Sequence, residues 1–420
     1  MSEGAVDPRD EARAAVWALP LEMLDPAQPA LFRDDAFWPY FERLRAEDPV
    51  HYTPQSVYGP YWSITKYNDI MAVETNHAVF SSDTLHGGIS IAGEPNPEGG
   101  FMFIAMDPPK HDAQRKTVSP AVSPTNLQTL APIIRERAGK ILDSLPIGEP
   151  FDWVDKVSME LTTMTLATLF DFPFEERRKL TRWSDVATAV PGHGVVETMQ
   201  QKMDELQECF AYFGKLWNER VNAPPAGDLI SMLAHGEGTR DMTPREFRGN
   251  VILLIVGGND TTRNTITGSV LALNQNQDQY RMLRDDPALI PGMVSETIRW
   301  QTPLAHMRRT AIRDIEFKGK TIRAGDKVVM WYVSGNRDGE VIDQPDRYII
   351  DRARPRMHMS FGFGIHRCVG NRLAELQLQI IWEEILARFP EIRVLREPRR
   401  VYSTFVKGYE DLQVIIPKRN

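Results

Sequence analysis

The sequence predicts a mainly α protein, one large helical body with a small β subdomain folded from distant segments. Three observations carry that expectation. Two long stretches keep an apolar helical period, from Thr243 to about Asn274 and from Asn371 to Phe389. The β signals are short and scattered, at Val50–Tyr52, Tyr61–Thr65 and Ile315–Val333. No repeat, low-complexity tract or composition shift marks a linker, so residues 31–420 read as one domain. Residues 1–30, rich in Pro, Ala and Asp, read as a loosely packed arm before it.

Beyond the arm and the first two β segments, glycine and proline concentrate in Gly87–Gly100, a long loop without regular structure of its own. Loops of that length in compact domains are often functional. Asp107-Pro108-Pro109 opens a helix that sets His111 and Arg115 on one face at i and i+4. Cys209 lies within the helical stretch Met203–Trp217 and reads as packing, and Ala223–Gly227 is a surface connection. Thr243-Pro244-Arg245-Glu246 is a capping box with proline at the first helical position. It starts a helix on the order of 45 Å long at 1.5 Å per residue. Mid-helix come Gly257-Gly258-Asn259-Asp260-Thr261-Thr262. Two glycines there cost roughly 2 kcal/mol relative to alanine. A helix crossing that needs small residues would explain the glycines, but not the acid–alcohol pair beside them. Glu296-Thr297-Ile298-Arg299 puts a carboxylate and a guanidinium on one helix face between Val294, Ile298 and Trp300, so the pair is expected to be buried and fully hydrogen-bonded. Lys318-Gly319 and Ala324-Gly325 punctuate the last β cluster.

The most informative segment is Phe361-Gly362-Phe363-Gly364-Ile365-His366-Arg367-Cys368-Val369-Gly370. It holds a lone cysteine at the mouth of the helix that begins at Asn371, where unpaired N–H groups and the helix dipole favour a thiolate. Gly362 and Gly364 are expected to let the backbone pass close to a flat, bulky group, with Phe361 packing on it. Such a thiolate suits an axial ligand of haem iron.

Composition narrows the partners. The formal net charge of −8 argues against nucleic acid and offers no basic stripe for a membrane surface. No apolar run reaches the length of a membrane-spanning helix, and Met1–Arg13 is polar and acidic, unlike a signal peptide. Two cysteines in such different contexts do not form a disulfide framework, so a reducing cytoplasm is expected. His358 and His366 flank a single cysteine and lack structural-zinc spacing. A nucleophile elbow, a P-loop and a dinucleotide fingerprint are all missing from the sequence.

The cysteine loop resembles the haem-binding loop of cytochromes P450. The likeness runs from about Phe37 to Ile416 and includes the acid–alcohol helix, the Glu-x-x-Arg helix and the segment before the loop. It implies haem b held by Cys368, with Phe361, Gly362 and Gly257 beside the macrocycle and His111, Arg115, Arg309 and His366 as propionate partners. Arg309 is favoured over Arg308 because the family arginine precedes an acidic residue by five positions, here Asp314. It also implies a local widening of the long helix that holds O2 and water, where Thr261 steadies the activated oxygen and Asp260 relays protons. Glu296, Arg299 and Arg347 are implied as a structural triad that pins the cysteine loop.

Within the superfamily, Leu304–Ala311, Phe361–Glu375 and Phe405–Tyr409 resemble the soluble bacterial alkane and fatty-acid terminal hydroxylases. That likeness implies electrons from an NADH-dependent ferredoxin reductase through a 2Fe–2S ferredoxin. It also implies a pocket of Leu253, Val256, Leu304, Met307, Phe405 and Val406, with Ile89, Ser90 and Met102 from the glycine-rich loop and Thr188 in the roof. The set carries no charge to hold a substrate head group. Two other functions remain open from the sequence: a peroxide-driven fatty-acid peroxygenase and a non-catalytic haem sensor.

Overall fold

Two helices organise the protein. The structure, a computed structural model, describes residues 8–420. The first helix, Pro244–Gln275, starts where the sequence places its cap: Thr243 Oγ1 accepts from the Glu246 N–H at 3.3 Å, and Glu246 Oε2 accepts from the Thr243 N–H at 3.0 Å. It runs through the middle of the body, packed by Met159–Phe170, Arg178–Thr188, Ile290–Gln301 and Asn371–Arg388. We call it the groove helix. The second, Asn371–Arg388, lies on Pro124–Asp143 and buries Leu373, Ile380, Ile381, Trp382 and Ile385 in the largest apolar core. Another core gathers Leu180, Trp183, Cys209, Phe213, Val251 and Ile255 beneath the roof helices Arg178–Thr188 and Met199–Val221. Cys209 is fully buried there, and burial pushes its thiol pKa far up, so it packs as a small apolar group.

The β subdomain is a five-stranded sheet in the order Val50–Thr53, Tyr61–Ile64, Lys327–Trp331, His306–Ala311, Phe80–Ser81. Tyr61–Ile64 pairs parallel to Lys327–Trp331, and the other neighbours are antiparallel. The hairpin Ile315–Phe317/Lys320–Ile322 turns at Lys318 and Gly319, both at positive φ (51° and 76°). His306–Ala311 carries no β signal in the sequence because every residue of it is buried, leaving no polar–apolar alternation to read.

One expectation changes. The segment before residue 31 is packed: Pro8–Ala18 is helical, Leu24 and Ala27 are fully buried, and Arg43 Nη1 donates to the carbonyls of Val16 (2.8 Å) and Leu19 (2.6 Å). The first seven residues of the expected arm lie outside the described residues. The Gly87–Gly100 loop is irregular as expected but not slack. The buried Arg308 guanidinium donates to the carbonyls of His86, Gly87, Ser90 and Gly93, and the Arg308 N–H donates to the Ile89 carbonyl at 2.7 Å.

Candidate active site

Groove helix, glycine-rich loop, roof helices and cysteine loop together enclose a cavity of about 550 Å3. Its walls include nearly every residue the sequence nominates: Cys368, Phe361, Gly362 and His366 from the cysteine loop, Gly257 and Thr261 from the groove helix, and Arg115 and Arg309. Leu253, Val256, Leu304, Met307, Phe405, Ile89, Ser90, Met102 and Thr188 line it as well. Val406 does not; it is buried behind the wall, bridged to Leu304.

Cys368 opens onto this cavity, and its N–H donates to the Phe361 carbonyl at 2.8 Å, which closes the loop. Burial in the protein pushes the thiol pKa up, against the pull of the Gly370 N–H and of Arg115 and Arg367.

The loop glycines also permit a close approach to a neighbouring helix. A Cβ on Gly364 (φ 64°) would sit 2.6 Å from the Glu74 carbonyl, and one on Gly362 (φ 65°) 3.0 Å from Glu74 Oε2. They let the loop seat on the end of helix Tyr67–Thr75. Glu74, which the sequence reading missed, is buried and accepts from the Tyr332 hydroxyl, the Phe363 N–H and Arg309 Nη2. Burial raises its pKa despite Arg309. No local pattern marks it, since its partners lie more than 200 residues away in sequence.

The groove helix is α-helical along its whole length. Space comes from Gly257, where a Cβ would meet nothing within 4 Å, whereas one on Gly258 would strike Leu166 at 2.7 Å. One glycine opens the cavity and the other permits helix packing. Thr261 Oγ1 donates to the Gly257 carbonyl at 3.1 Å. Asp260 does not reach the cavity. It is buried and accepts from Ser184 Oγ (2.9 Å), Asn259 Nδ2 (3.1 Å), Arg263 Nη2 (3.2 Å) and Thr188 Oγ1 (3.3 Å). Burial raises its pKa, and the Arg263 guanidinium opposes the rise.

Glu296 and Arg299 are fully buried and doubly bonded, Nε to Oε2 at 2.8 Å and Nη2 to Oε1 at 2.7 Å. Their third partner is Arg352, not Arg347. Arg352 Nε donates to Glu296 Oε2 at 2.9 Å, while the Arg347 side chain lies exposed on Gln344 and only its carbonyl joins the cluster. Arg299 also donates to the Asn336 carbonyl, and Asn336 Oδ1 accepts from the Met359 N–H, which links the pair to the approach of the cysteine loop.

A family profile described as cytochrome P450 matches residues 50–408. The chain belongs to the cytochrome P450 family. Linalool 8-monooxygenase from Pseudomonas putida is 35% identical over 409 residues, spanning 95% of this chain and 100% of the relative. A methyl-branched lipid omega-hydroxylase from Mycobacterium tuberculosis is 32% identical over 413 residues, spanning 95% and 92%. Among solved structures, cytochrome P450-153 from Novosphingobium aromaticivorans superposes with a TM-score of 0.87 at 47% identity, covering 93% of this chain and 99% of that one.

This P450 is a monooxygenase that uses haem b with a cysteine-thiolate-ligated iron, O2 and an electron donor. The residues present fit the group. A thiol and two guanidiniums, Arg115 and Arg309, line one cavity. Beside them are two buried imidazole nitrogens without a protein partner, His111 Nε2 and His366 Nδ1, on rings 4.3 Å apart. His111 does not line the cavity itself; it stands behind His366, whose Nε2 is paired with Ser82 Oγ at 2.8 Å. Burial lowers the pKa of both histidines. Among the described residues no helix is long and apolar enough to cross a membrane.

Proposed function

We propose that this P450 hydroxylates slim alkyl chains, medium-chain alkanes or fatty acids, at or near the terminal carbon, with electrons from a 2Fe–2S ferredoxin and an NADH-dependent reductase. One observation carries the reading. The cavity that Cys368 opens onto is walled by Leu253, Val256, Leu304, Met307, Phe405, Ile89 and Met102, a surface that recognises its occupant by shape and apolar burial. Each CH2 buried there contributes about 0.8 kcal/mol, roughly fourfold in affinity. The lipid omega-hydroxylase among the relatives is consistent with terminal attack. The sequence contains no dinucleotide fingerprint, which favours a separate protein as electron donor.

In this reading the Cys368 thiolate would hold the haem iron, and Arg115, Arg309, His111 and His366 would hold the propionates. Bound haem supplies the activation of O2 and the oxidising power for C–H cleavage. The chain supplies positioning and protons. Thr261 presents its hydroxyl to the cavity beside the open space at Gly257. Asp260 is walled off, so its proton reaches the cavity through Thr188, whose Oγ1 touches Asp260 Oδ2 and which lines the cavity. Burial holds the Asp260 pKa above the ordinary carboxylate value, which suits a proton donor.

The test is turnover of n-octane and decanoate with ferredoxin, reductase, NADH and isotope-labelled O2. The proposal expects NADH-dependent alcohol carrying one labelled oxygen, with the terminal isomer dominant. Turnover driven by peroxide and unsupported by the electron-transfer proteins would overturn it in favour of a peroxygenase.

A further inference from the structure

Four charged side chains line the cavity: Glu74, Arg115, Lys202 and Arg309. Three are committed on the side of the cysteine loop. Arg309 pairs with Glu74 at 3.3 Å, Glu74 also takes the Tyr332 hydroxyl and the Phe363 N–H, and Arg115 donates to the Arg367 carbonyl. Lys202 stands apart. It reaches the cavity from the roof helix Met199–Val221, and its Nζ donates to the Ala189 carbonyl at 2.8 Å, where the other roof helix has ended. Glu205, three residues on along the same helix, is held by Arg182 at 2.7 Å. Among the described residues Lys202 forms no ion pair.

We propose that Lys202 anchors the head group of an anionic amphiphile, a medium-chain carboxylate, whose alkyl tail extends through the apolar cavity toward Cys368. The proposal rests on the alkyl-chain reading and names which chains fit best. It also amends the expectation of an uncharged cavity. The end of the other roof helix is a favourable place for a cation, but a half-buried ammonium without a counter-ion remains costly. Burial lowers the Lys202 pKa, as an unmatched cation requires. A single ammonium with donors to spare suits a singly charged carboxylate. A phosphate would call for an arginine fork or a cradle of N–H groups, and the remaining charged groups of the cavity are already engaged.

The experiment is isothermal titration calorimetry on the haem-loaded protein with decanoate and with 1-decanol, comparing the parent, Lys202→Met and Lys202→Arg. Lys202→Met keeps close to the length of the side chain and removes its charge and its N–H donors, including the one to the Ala189 carbonyl. It should weaken decanoate on the order of tenfold or more and leave 1-decanol within about twofold, the difference expected from one charge-assisted hydrogen bond. Lys202→Arg should retain the preference for decanoate. Equal losses for both ligands, or none for either, would overturn the proposal and leave Lys202 as wall. Product analysis separates the two readings. If decanoate binds through Lys202 but is oxidised far from its methyl end, the anchor stands and terminal oxidation fails.

Discussion

Replacing Arg352 by leucine should destabilise this P450 far more than the same change at Arg347. Glu296 is fully buried and accepts four hydrogen bonds: two from Arg299, one from Arg352 Nε at 2.9 Å and one from the Ile349 N–H at 2.8 Å. Arg352 also donates through Nη2 to the carbonyls of Gln344 (2.9 Å) and Arg347 (2.7 Å). Breaking a buried ion pair from one side costs about 3–5 kcal/mol. Arg347 is exposed and its side chain holds only Gln344 Oε1, so its loss falls in the surface range of about 0–1 kcal/mol. Unfolding entropy of about 2.1 cal/mol/K per residue makes 3–5 kcal/mol a drop of roughly 3–6 °C in Tm for a chain of this size. Differential scanning calorimetry of both haem-loaded variants measures it. Haem retention, read from absorbance, should fall in Arg352→Leu because the cluster reaches the cysteine loop through Arg299, Asn336 and Met359. Equal Tm values, or a larger loss at Arg347, would refute the triad as drawn.

Cys368→Ser should abolish the red-shifted Soret band of the reduced CO complex, while Cys209→Ser, in an apolar core, should keep it; the absorbance spectra decide. Thr261→Ala should retain haem and lower product formed per NADH, and Asp260→Asn should slow turnover by up to the roughly 10²–10⁴-fold that acid–base catalysis contributes. Paired NADH and product assays separate the two effects. Arg308→Ala removes the guanidinium that gathers the His86, Gly87, Ser90 and Gly93 carbonyls, so amide hydrogen exchange should accelerate across residues 86–100 and stay unchanged in the groove helix.

The features legible in the sequence were those that neighbouring residues write together. The cysteine loop, the capping box at Thr243, the Glu296–Arg299 spacing and the glycines beside Asp260 are each contiguous, and each lies where it was expected. What escaped depends on partners far along the chain. Arg347 and Arg352 sit five residues apart in one segment, and only the path of the backbone decides which turns inward. Strand His306–Ala311 hides because it is buried along its whole length, with Arg308 and Arg309 among its residues. Glu74 and Lys202 look like ordinary helix-surface charges until the fold brings one against the cysteine loop and the other into the roof. The loop glycines are plain in the sequence, but nothing local shows that Gly364 approaches the Glu74 backbone and Gly362 the Glu74 carboxylate. Asp260 was placed correctly on the helix, but burial and Arg263 set it behind Thr188, a relationship no spacing encodes.

In the proposed function the largely apolar cavity delivers the end of an alkyl chain to the Cys368 side. The most direct measurement is the ratio of terminal to subterminal alcohol from n-octane, for the parent and for Leu304→Ala and Phe405→Ala, which widen the cavity wall. The account predicts mainly terminal alcohol from the parent and a shift toward subterminal alcohols in both variants. A parent that oxidises chiefly internal carbons, or variants with an unchanged ratio, would contradict it.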